Sequence, residues 1–348
     1  MIVTRFMKTE DAPNIRSYVE SNESATIYHT LDWKEIIEST YRYALRVIVC
    51  MIDNRVAGVL PLAQFRNYRG QKKIVGLPFS HFVQPLYSSI EALNALLSFA
   101  ETTAQKRNAG YLEIKSNIGG RRNWHTISTY MLSELNLNRN IKDIHKSLKP
   151  SVRRNIKKAK AYGVSVRIEN NRCAFNNFYD LMIETRHRQG SPPYARLFFE
   201  NLFKYLSPSK RKLFIAYHGT QPIAGIIMLV HGKRTIYAYG ASRSDKNLLQ
   251  LRPNDLLFWK SIEDAHHSGF DVYDFGITHI DHSSLLRFKS QWGPVNHKLF
   301  YSYYLCRSKT IPRINRSGTF GRISSTVLRR LPVPVFKIAG PMLLRFLG

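Results

Sequence analysis

The chain has 348 residues, of which 44% are hydrophobic, an ordinary share for a globular protein that excludes a disordered chain. It carries 52 Lys and Arg against 24 Asp and Glu, a net charge of +28. An excess of that size predicts a polyanionic partner such as tRNA, an anionic lipid headgroup, a phosphorylated carrier or an acidic polysaccharide. The length suffices for two domains of ordinary size.

The cysteines and the N-terminus indicate the cell compartment in which the protein resides. Cys50, Cys173 and Cys306 are far apart and form no CxxC motif, so we expect neither a disulfide framework nor a metal site. The N-terminal residues lack the apolar segment of a secretory signal, and no long apolar run that could span a membrane occurs. These features predict a cytoplasmic protein, with the inner face of the membrane as an alternative location.

Residues 1–140 read as a first α/β unit. Two β-branched runs within residues 45–65 predict a hairpin that turns at Asp53-Asn54-Arg55. Apolar periodicity predicts a helix over residues 90–107, and a strand is predicted over residues 111–115.

The densest basic element is residues 141–163, where Ser147 can cap the start of a predicted helix and Gly163 can close its end. No acidic residue occurs between Lys146 and Lys160, which favours phosphate binding over a merely solvated helix face. The cations recur at spacings of four, four and three along one face: Lys149, Arg153, Lys157 and Lys160.

A second unit, residues 141–306, repeats the pattern of the first. Both predicted hairpins carry Ala-Gly in their second strand, at Ala57-Gly58 and at Ala224-Gly225. The next predicted strand, residues 235–240, presents two tyrosines on one face. The remaining predicted elements are two helices, a hairpin, a helix and a strand: 175–188, 197–206, 212–231, 253–268 and 271–275.

A carboxylate and an ammonium group stand close together within residues 271–293. Asp274 lies at the predicted end of a strand, where sites open on α/β folds. Lys289 follows between two aromatic residues, Phe288 and Trp292. Such a pair can move a proton and hold an anion, or it can tie a strand end as a salt bridge, and the spacing leaves both interpretations open.

The last segment, residues 307–348, contains nine basic residues and no acidic one. Apolar residues interleave with the cations, and Gly340-Pro341 is predicted to break any long helix. The segment fits an interfacial element on an anionic leaflet, and it equally fits a tail packed on the second unit.

Eight short motifs follow one another between about residues 30 and 305: V-A-G-V-L-P-L, G-L-P-F, S-V-R-R-N-I-K-K-A-K-A-Y-G-V, Q-P-I-A-G-I-I-M-L, Y-A-Y-G-A-S, R-P-N-D-L-L-F-W, Y-D-F-G and R-F-K-S-Q-W-G. Their order and spacing resemble the FemAB-like family, aminoacyl and peptidyl transferases that extend peptidoglycan cross-bridges. The resemblance is nearest to the FemAB-related proteins encoded with exopolysaccharide and PEP-CTERM/exosortase systems. It implies an α/β (α+β) fold of two tandem GNAT-like units, each a mixed sheet flanked by helices.

The resemblance also implies a site in the second unit. Asp274 and Lys289 are then the catalytic residues: the aspartate orients or deprotonates an amine, and the lysine contacts a phosphate or the reacting acyl group. For the two tyrosines of the 235–240 strand, packing on the sheet is the alternative. The implied substrate-binding residues are Arg153, Lys157, Tyr237, Tyr239, Asn254, Phe288 and Trp292.

The loop after Gly240, S-D-K-N-L-L-Q-L-R-P-N-D, lacks the glycines with which simple acetyltransferases hold the pyrophosphate of CoA. Side-chain cations would then hold the donor, which suits aminoacyl-tRNA and leaves an acyl thioester such as acyl-CoA open. No cofactor is expected beyond the donor itself.

The resulting hypothesis is acyl or aminoacyl transfer to an amine or hydroxyl of a lipid-linked or polysaccharide acceptor in the cell envelope, or of a peptidoglycan precursor. Two alternatives remain. One is a CoA-dependent GNAT N-acetyltransferase, and the other is a non-catalytic protein that binds polyanions or a membrane surface.

Overall fold

The computed structural model describes residues 1–67, 70–311 and 319–347, and the chain forms two compact units. Unit 1 comprises Met1–Thr129, Lys298–Ile314 and Arg345–Gly348, whereas unit 2 comprises Tyr130–His297 and Asn315–Leu344. The division of the sequence at residues 140 and 306 stays a prediction about domains.

Thirteen strands are present in the described part of the chain: β1 Ile2–Phe6, β2 Ala44–Ile52, β3 Arg55–Arg66, β4 Lys72–Gly76, β5 Leu86–Tyr87, β6 Tyr111–Ile114, β7 Trp124–Asn136, β8 Val164–Glu169, β9 Arg211–His218, β10 Gln221–His231, β11 Arg234–Ser242, β12 Val272–His279 and β13 Val295–Leu305. The α-helices in the same residues are α1 Ala12–Ser21, α2 Leu31–Tyr41, α3 Ile90–Lys106, α4 Ile141–Ser147, α5 Pro150–Ala161, α6 Arg172–Gln189, α7 Arg196–Tyr205, α8 Lys246–Gln250, α9 Pro253–His267, α10 Ser283–Ser290, α11 Thr319–Arg330 and α12 Val333–Leu347. None of these helices is both long enough and apolar enough to cross a bilayer.

Unit 1 is a mixed sheet with helices on both faces. Its strands follow the order β1-β2-β3-β4-β6-β13, and β4 and β6 form the parallel pair. The predicted hairpin is β2–β3, and its turn residues Asp53 and Asn54 have left-handed φ values of 48° and 60°, as a tight turn between twisted strands requires. Leu96 of α3 and Ile15 of α1 belong to two separate buried clusters, one on each face of the sheet, and Cys50 is a core residue of the first.

Unit 2 is also a mixed sheet, with the order β7-β12-β11-β10-β9-β8 and one parallel pair, β11 with β12. On one face α5 and α9 bury a core that includes Ile156 and Trp259. On the other face α6 lies so close to β10 that a Cβ on Gly225 would come 3.0 Å from the ring of Phe178. The predicted fold class, a pair of mixed sheets flanked by helices, is therefore confirmed.

The basic element, residues 141–163, consists of two helices, and the predicted helix begins at Pro150, so the prediction of Ser147 as its cap is wrong. Pro150 causes the break, because the residue before a proline avoids the helical conformation, and Pro150 then occupies the first position of α5. Ser147 is consequently the last residue of α4 and does not cap α5. Gly163 follows the end of α5 with φ of 72°, as predicted for a helix-terminating glycine.

The C-terminal segment also differs from the prediction. Gly340-Pro341 is predicted to break a helix there, but α12 continues through both residues. A proline inside a helix costs about 3 kcal/mol. Phe336 of the same helix is fully buried, which contributes about 1.5–3 kcal/mol, so tertiary packing offsets much of the local preference.

Candidate active site

The candidate site lies where two parallel strands of unit 2 stop pairing. β11 pairs with β12 only over Arg234–Ile236 and Val272–Asp274, although β11 continues to Ser242 and β12 to His279. The strand predicted to end at residue 275 thus ends four residues later, at His279. The ladder thus stops while both strands go on, and their C-terminal parts are not paired with each other, which is the kind of strand edge where sites open on α/β folds.

β11 has a bulge at Ala238 that changes the direction of its side chains. Ile227 pairs with Tyr239 while the next residue of β10, Met228, pairs with Tyr237, so Ala238 is the extra residue. The prediction that both tyrosines lie on one face is therefore wrong. Tyr237 packs on Phe258 of α9, whereas Tyr239 packs on the opposite face, against Phe198 and Phe199 of α7.

The ring of Tyr237 runs along β11 and lies directly over Gly240. A Cβ at Gly240 would overlap the Tyr237 hydroxyl and two of its ring carbons. Burial raises the pKa of this tyrosine to about 12, so its hydroxyl stays protonated at neutral pH and can act as a hydrogen-bond donor.

A second bulge, in β12, is held by the two residues predicted to be catalytic. Phe275 and Gly276 stand opposite the single residue Ser133, and Gly276 has φ of 75°. The Gly276 N–H donates to Asp274 Oδ1 at 2.6 Å, and Lys289 Nζ donates to the Gly276 carbonyl at 2.7 Å. The structure therefore brings Asp274 and Lys289 to the two ends of one residue.

Both groups of this pair are buried, with exposed fractions of 5% for Asp274 and 4% for Lys289. Burial raises the pKa of Asp274 to about 6, although the nearby Arg234 opposes the rise. Burial lowers the pKa of Lys289 to about 8, and the attraction of Asp274 opposes the fall. A carboxylate and an ammonium with pKa values on either side of neutrality can accept and release a proton at physiological pH. Their roles as catalytic residues stay predictions.

Three further residues that the sequence did not point to form a charged network next to Asp274. Arg234 lies 3.4 Å from Asp274 Oδ2 and pairs more tightly with Glu134, whose other oxygen lies 3.4 Å from His297 Nε2. Strand pairing makes this network, because Glu134 stands opposite Asp274 across β7 and β12. Separations of 40 and 100 residues give no local sequence signal for it.

The remaining aromatic candidates gather around Phe258 of α9. The ring centroid of Phe258 lies 4.7 Å from Tyr237, 5.4 Å from Phe288 and 5.4 Å from Trp292. Trp292 is fully buried and belongs to the core of unit 2, whereas Phe288 is half-buried beside it. These rings pack together as one apolar cluster around Phe258. Their contact with substrate stays a prediction.

The first turn of α9 offers few backbone donors to a phosphate. Pro253 has no N–H to donate, and Arg252 precedes it with φ of 61°. Asp255 adds a carboxyl to the same turn, where Asn155 of α5 hydrogen-bonds to it at 3.4 Å, and burial raises its pKa. Asn254, which stands between Pro253 and Asp255 in the sequence, is half-buried.

The cations of α5 lie outside this cluster of buried groups. Val152 and Ile156 pack in the core beneath α9, which turns the basic face of α5 outward. Lys157 is exposed and Arg153 is half-buried. Burial lowers the pKa of His145, and the charge of Arg153 lowers it further. The structure thus separates two groups of predicted residues, a solvent-facing basic helix and a buried site.

Comparison with known proteins agrees with this architecture. Residues 146–290 match the family model described as an acetyltransferase (GNAT) domain. No curated protein matches the sequence. Among solved structures, FemX is 16% identical with a TM-score of 0.66, covering 88% of this chain and 98% of its own.

Two other solved structures have the same fold. The C-terminal DUF2156 domain of a putative lysylphosphatidylglycerol synthetase from Agrobacterium fabrum is 10% identical, with a TM-score of 0.58 over 92% of this chain and 96% of its own. A tandem GNAT protein from the clavulanic acid biosynthesis pathway is 13% identical, with a TM-score of 0.55 over 87% of this chain and 98% of its own. Residues 146–290 are thus similar to the GNAT acetyltransferase domain, and the chain as a whole has the fold of FemX, as the resemblance to the FemAB-like family predicts.

Proposed function

We propose that this protein transfers an aminoacyl group from aminoacyl-tRNA to an amine or hydroxyl of a cell-envelope glycoconjugate or peptidoglycan precursor. The observation that carries the proposal is the edge at which β11 and β12 stop pairing, within a region that matches the GNAT family model. A carbonyl bound there lies at the edge where the Asp274–Gly276–Lys289 group is buried. An association with exopolysaccharide systems belongs to the same proposal.

The choice of donor rests on how an anion could be held. Pro253 and Asp255 make the start of α9 a poor phosphate site, since one removes a donor and the other adds a negative charge. The outward face of α5 offers instead a row of cations on a protein of net charge +28. A long polyanion such as tRNA can contact such a face and still reach a distant site with its acylated end.

In the proposed reaction the acceptor amine attacks the ester carbonyl of the donor, and the tRNA hydroxyl leaves. Asp274 takes the proton from the amine, directly or through water, and this proton then passes to the oxygen of the leaving tRNA hydroxyl. Lys289 supports the developing negative charge through the Gly276 peptide that it holds. Positioning of the two substrates supplies most of the remaining rate enhancement.

The test mixes the purified protein with radiolabelled aminoacyl-tRNAs, or separately with radiolabelled acetyl-CoA, and a lipid-linked or nucleotide-linked peptidoglycan precursor. We expect label to move from aminoacyl-tRNA to the precursor, and Asp274→Asn to abolish the transfer. Label that moves only from acetyl-CoA, together with a higher melting temperature in the presence of CoA, would replace this function with the N-acetyltransferase.

A non-catalytic polyanion-binding protein is the second candidate, favoured by the exposed cations of α5. It predicts tRNA or anionic lipid binding that Asp274→Asn and Lys289→Met leave unchanged, with no transfer from any donor.

A further inference from the structure

The C-terminal helix α12 presents one face to unit 2 and an opposite face to solvent. Phe336 and Gly340, one turn apart, are buried. The Phe336 ring lies 5.0 Å from that of His187 on α6, and a Cβ at Gly340 would overlap Pro193. The preceding chain is fixed as well, because His187 Nε2 donates to the Leu331 carbonyl at 2.9 Å. The orientation of the helix is therefore set by close contacts.

The outward face of α12 is apolar. Val335, Ile338 and Met342 recur at spacings of three and four, with exposed fractions of 47%, 71% and 65%. Ile338 lies between Phe336 and Gly340 in sequence and so projects away from the buried side. Isolated exposed apolar residues are normal, whereas a stripe of three on one helix face marks a contact surface.

Cationic side chains lie close to this stripe along the chain. Arg329 and Arg330 end α11 and are exposed, and Lys337 lies on α12, 3.6 Å from Asp180 of α6. The sequence from residue 307 to residue 348 contains no acidic residue. An apolar stripe with cations close to it along the chain is complementary to an anionic bilayer, where the side chains enter the interface and the charges meet lipid headgroups.

We propose that the stripe formed by Val335, Ile338 and Met342, with these nearby cations, rests on an anionic lipid bilayer. A second copy of this chain is a poorer occupant because it would bring a like net charge of +28 to the contact.

The position of α12 relates the bilayer to the candidate site. The loop between α6 and α7 contacts the helix through Pro193, and the next residue, Tyr194, lies 5.2 Å from the ring of Tyr239 on β11. One short loop therefore joins the membrane-facing helix to a strand of the candidate site. A lipid-linked acceptor is the class of substrate that this arrangement favours, a part of the inference that rests on the proposed function.

The experiment measures cosedimentation of the full chain with vesicles of phosphatidylcholine alone or mixed with phosphatidylglycerol. We expect binding only to the mixed vesicles, weakened by salt. Ile338→Glu with Met342→Glu should weaken it at least about tenfold, since both carboxylates would have to enter the interface. The matched control, Ile168→Glu with Leu197→Glu, changes two exposed apolar residues elsewhere in unit 2 and should bind like the wild type.

Several results would overturn the inference: no binding to the mixed vesicles, equal binding to both vesicle types, or loss in the control as large as in the α12 variant. Self-association that the α12 variant abolishes, without vesicle binding, would assign the stripe to a second copy. Melting temperatures of both variants check folding. Vesicle binding needs no catalysis, so failure of transfer with intact vesicle binding would reject the proposed function alone, and the reverse result would reject the surface alone.

Discussion

Burial of Asp274 should make the stability of this protein fall as the pH rises from about 4 to 6. The folded-state pKa of Asp274 is raised from 3.8 to about 6, so the folded protein holds this proton more tightly than the unfolded chain. Stability from the protonated form is therefore complete below the unfolded pKa and lost as the pH passes through the folded pKa. A shift of about two pH units corresponds to about 3 kcal/mol in the free energy of unfolding.

Asp274→Asn removes this dependence because the amide does not titrate. Urea unfolding followed by tryptophan fluorescence at a series of pH values gives the free energies of both proteins. Relative to the wild type, the variant should gain about 3 kcal/mol between pH 4 and pH 7. Asp11→Asn is a control of opposite sign at lower pH, because the Arg5 guanidinium lowers the pKa of Asp11 to about 2. Its effect on the free energy of unfolding falls between about pH 2 and pH 4, and the interval from pH 4 to pH 7 should be nearly unchanged. If the difference in unfolding free energy between Asp274→Asn and the wild type stays constant from pH 4 to pH 7, the claim that burial raises the pKa of Asp274 is refuted.

Other expectations follow from the same unit and its neighbours. Burial lowers the pKa of the Lys289 ammonium, so the folded state binds its proton less tightly than the unfolded chain, and the wild type should gain stability between about pH 8 and 10.5. Lys289→Met should remove this gain, which the same urea series extended to alkaline pH measures. Gly240→Ala should cost about 1–3 kcal/mol by overpacking against the Tyr237 ring that lies over it. Gly76→Ala, whose new Cβ would make only ordinary contacts from 3.6 Å, should change stability by less than about 0.5 kcal/mol, and thermal melting compares the two variants. Lys157→Glu with Lys160→Glu should weaken tRNA binding and flatten its dependence on salt in a filter-binding titration, and an unchanged salt slope would show that tRNA does not contact α5.

Local patterns predicted the elements whose residues pack with near neighbours. The β2–β3 hairpin has the turn at Asp53-Asn54 that its sequence favours, and α9 begins at Pro253 as the position rule for proline indicates. The prediction failed where a neighbour overrides the pattern. Pro150 moves the start of the basic helix beyond the predicted cap Ser147, and the contact of Gly340 with Pro193 holds α12 through a proline.

The site was predictable as a list of residues and not as an arrangement. The Y-D-F-G motif and Lys289 could be recognised in the sequence, and the structure brings Asp274 and Lys289 to the same glycine. The bulge at Ala238 has no sequence signature, because it arises from a pairing shift between two strands, so the faces of the neighbouring tyrosines could not be foreseen. The same holds for Arg234, which reaches Asp274 only through the parallel pairing of β11 and β12.

The contacts of Asp274 and Lys289 mean that loss of transfer in a variant cannot by itself identify a catalytic group. Both side chains hold the β12 bulge through Gly276, so removing either would disturb the candidate site even if neither touches a substrate. The pH dependence separates the two roles. If Asp274 is the base, kcat/KM for transfer should rise with pH through about 6, because the carboxylate must be ionised to accept the proton. If it only holds the bulge, the rate should be flat through that range while the protein stays folded, and Asp274→Asn, which keeps an oxygen to accept from the Gly276 N–H, should retain most of the activity.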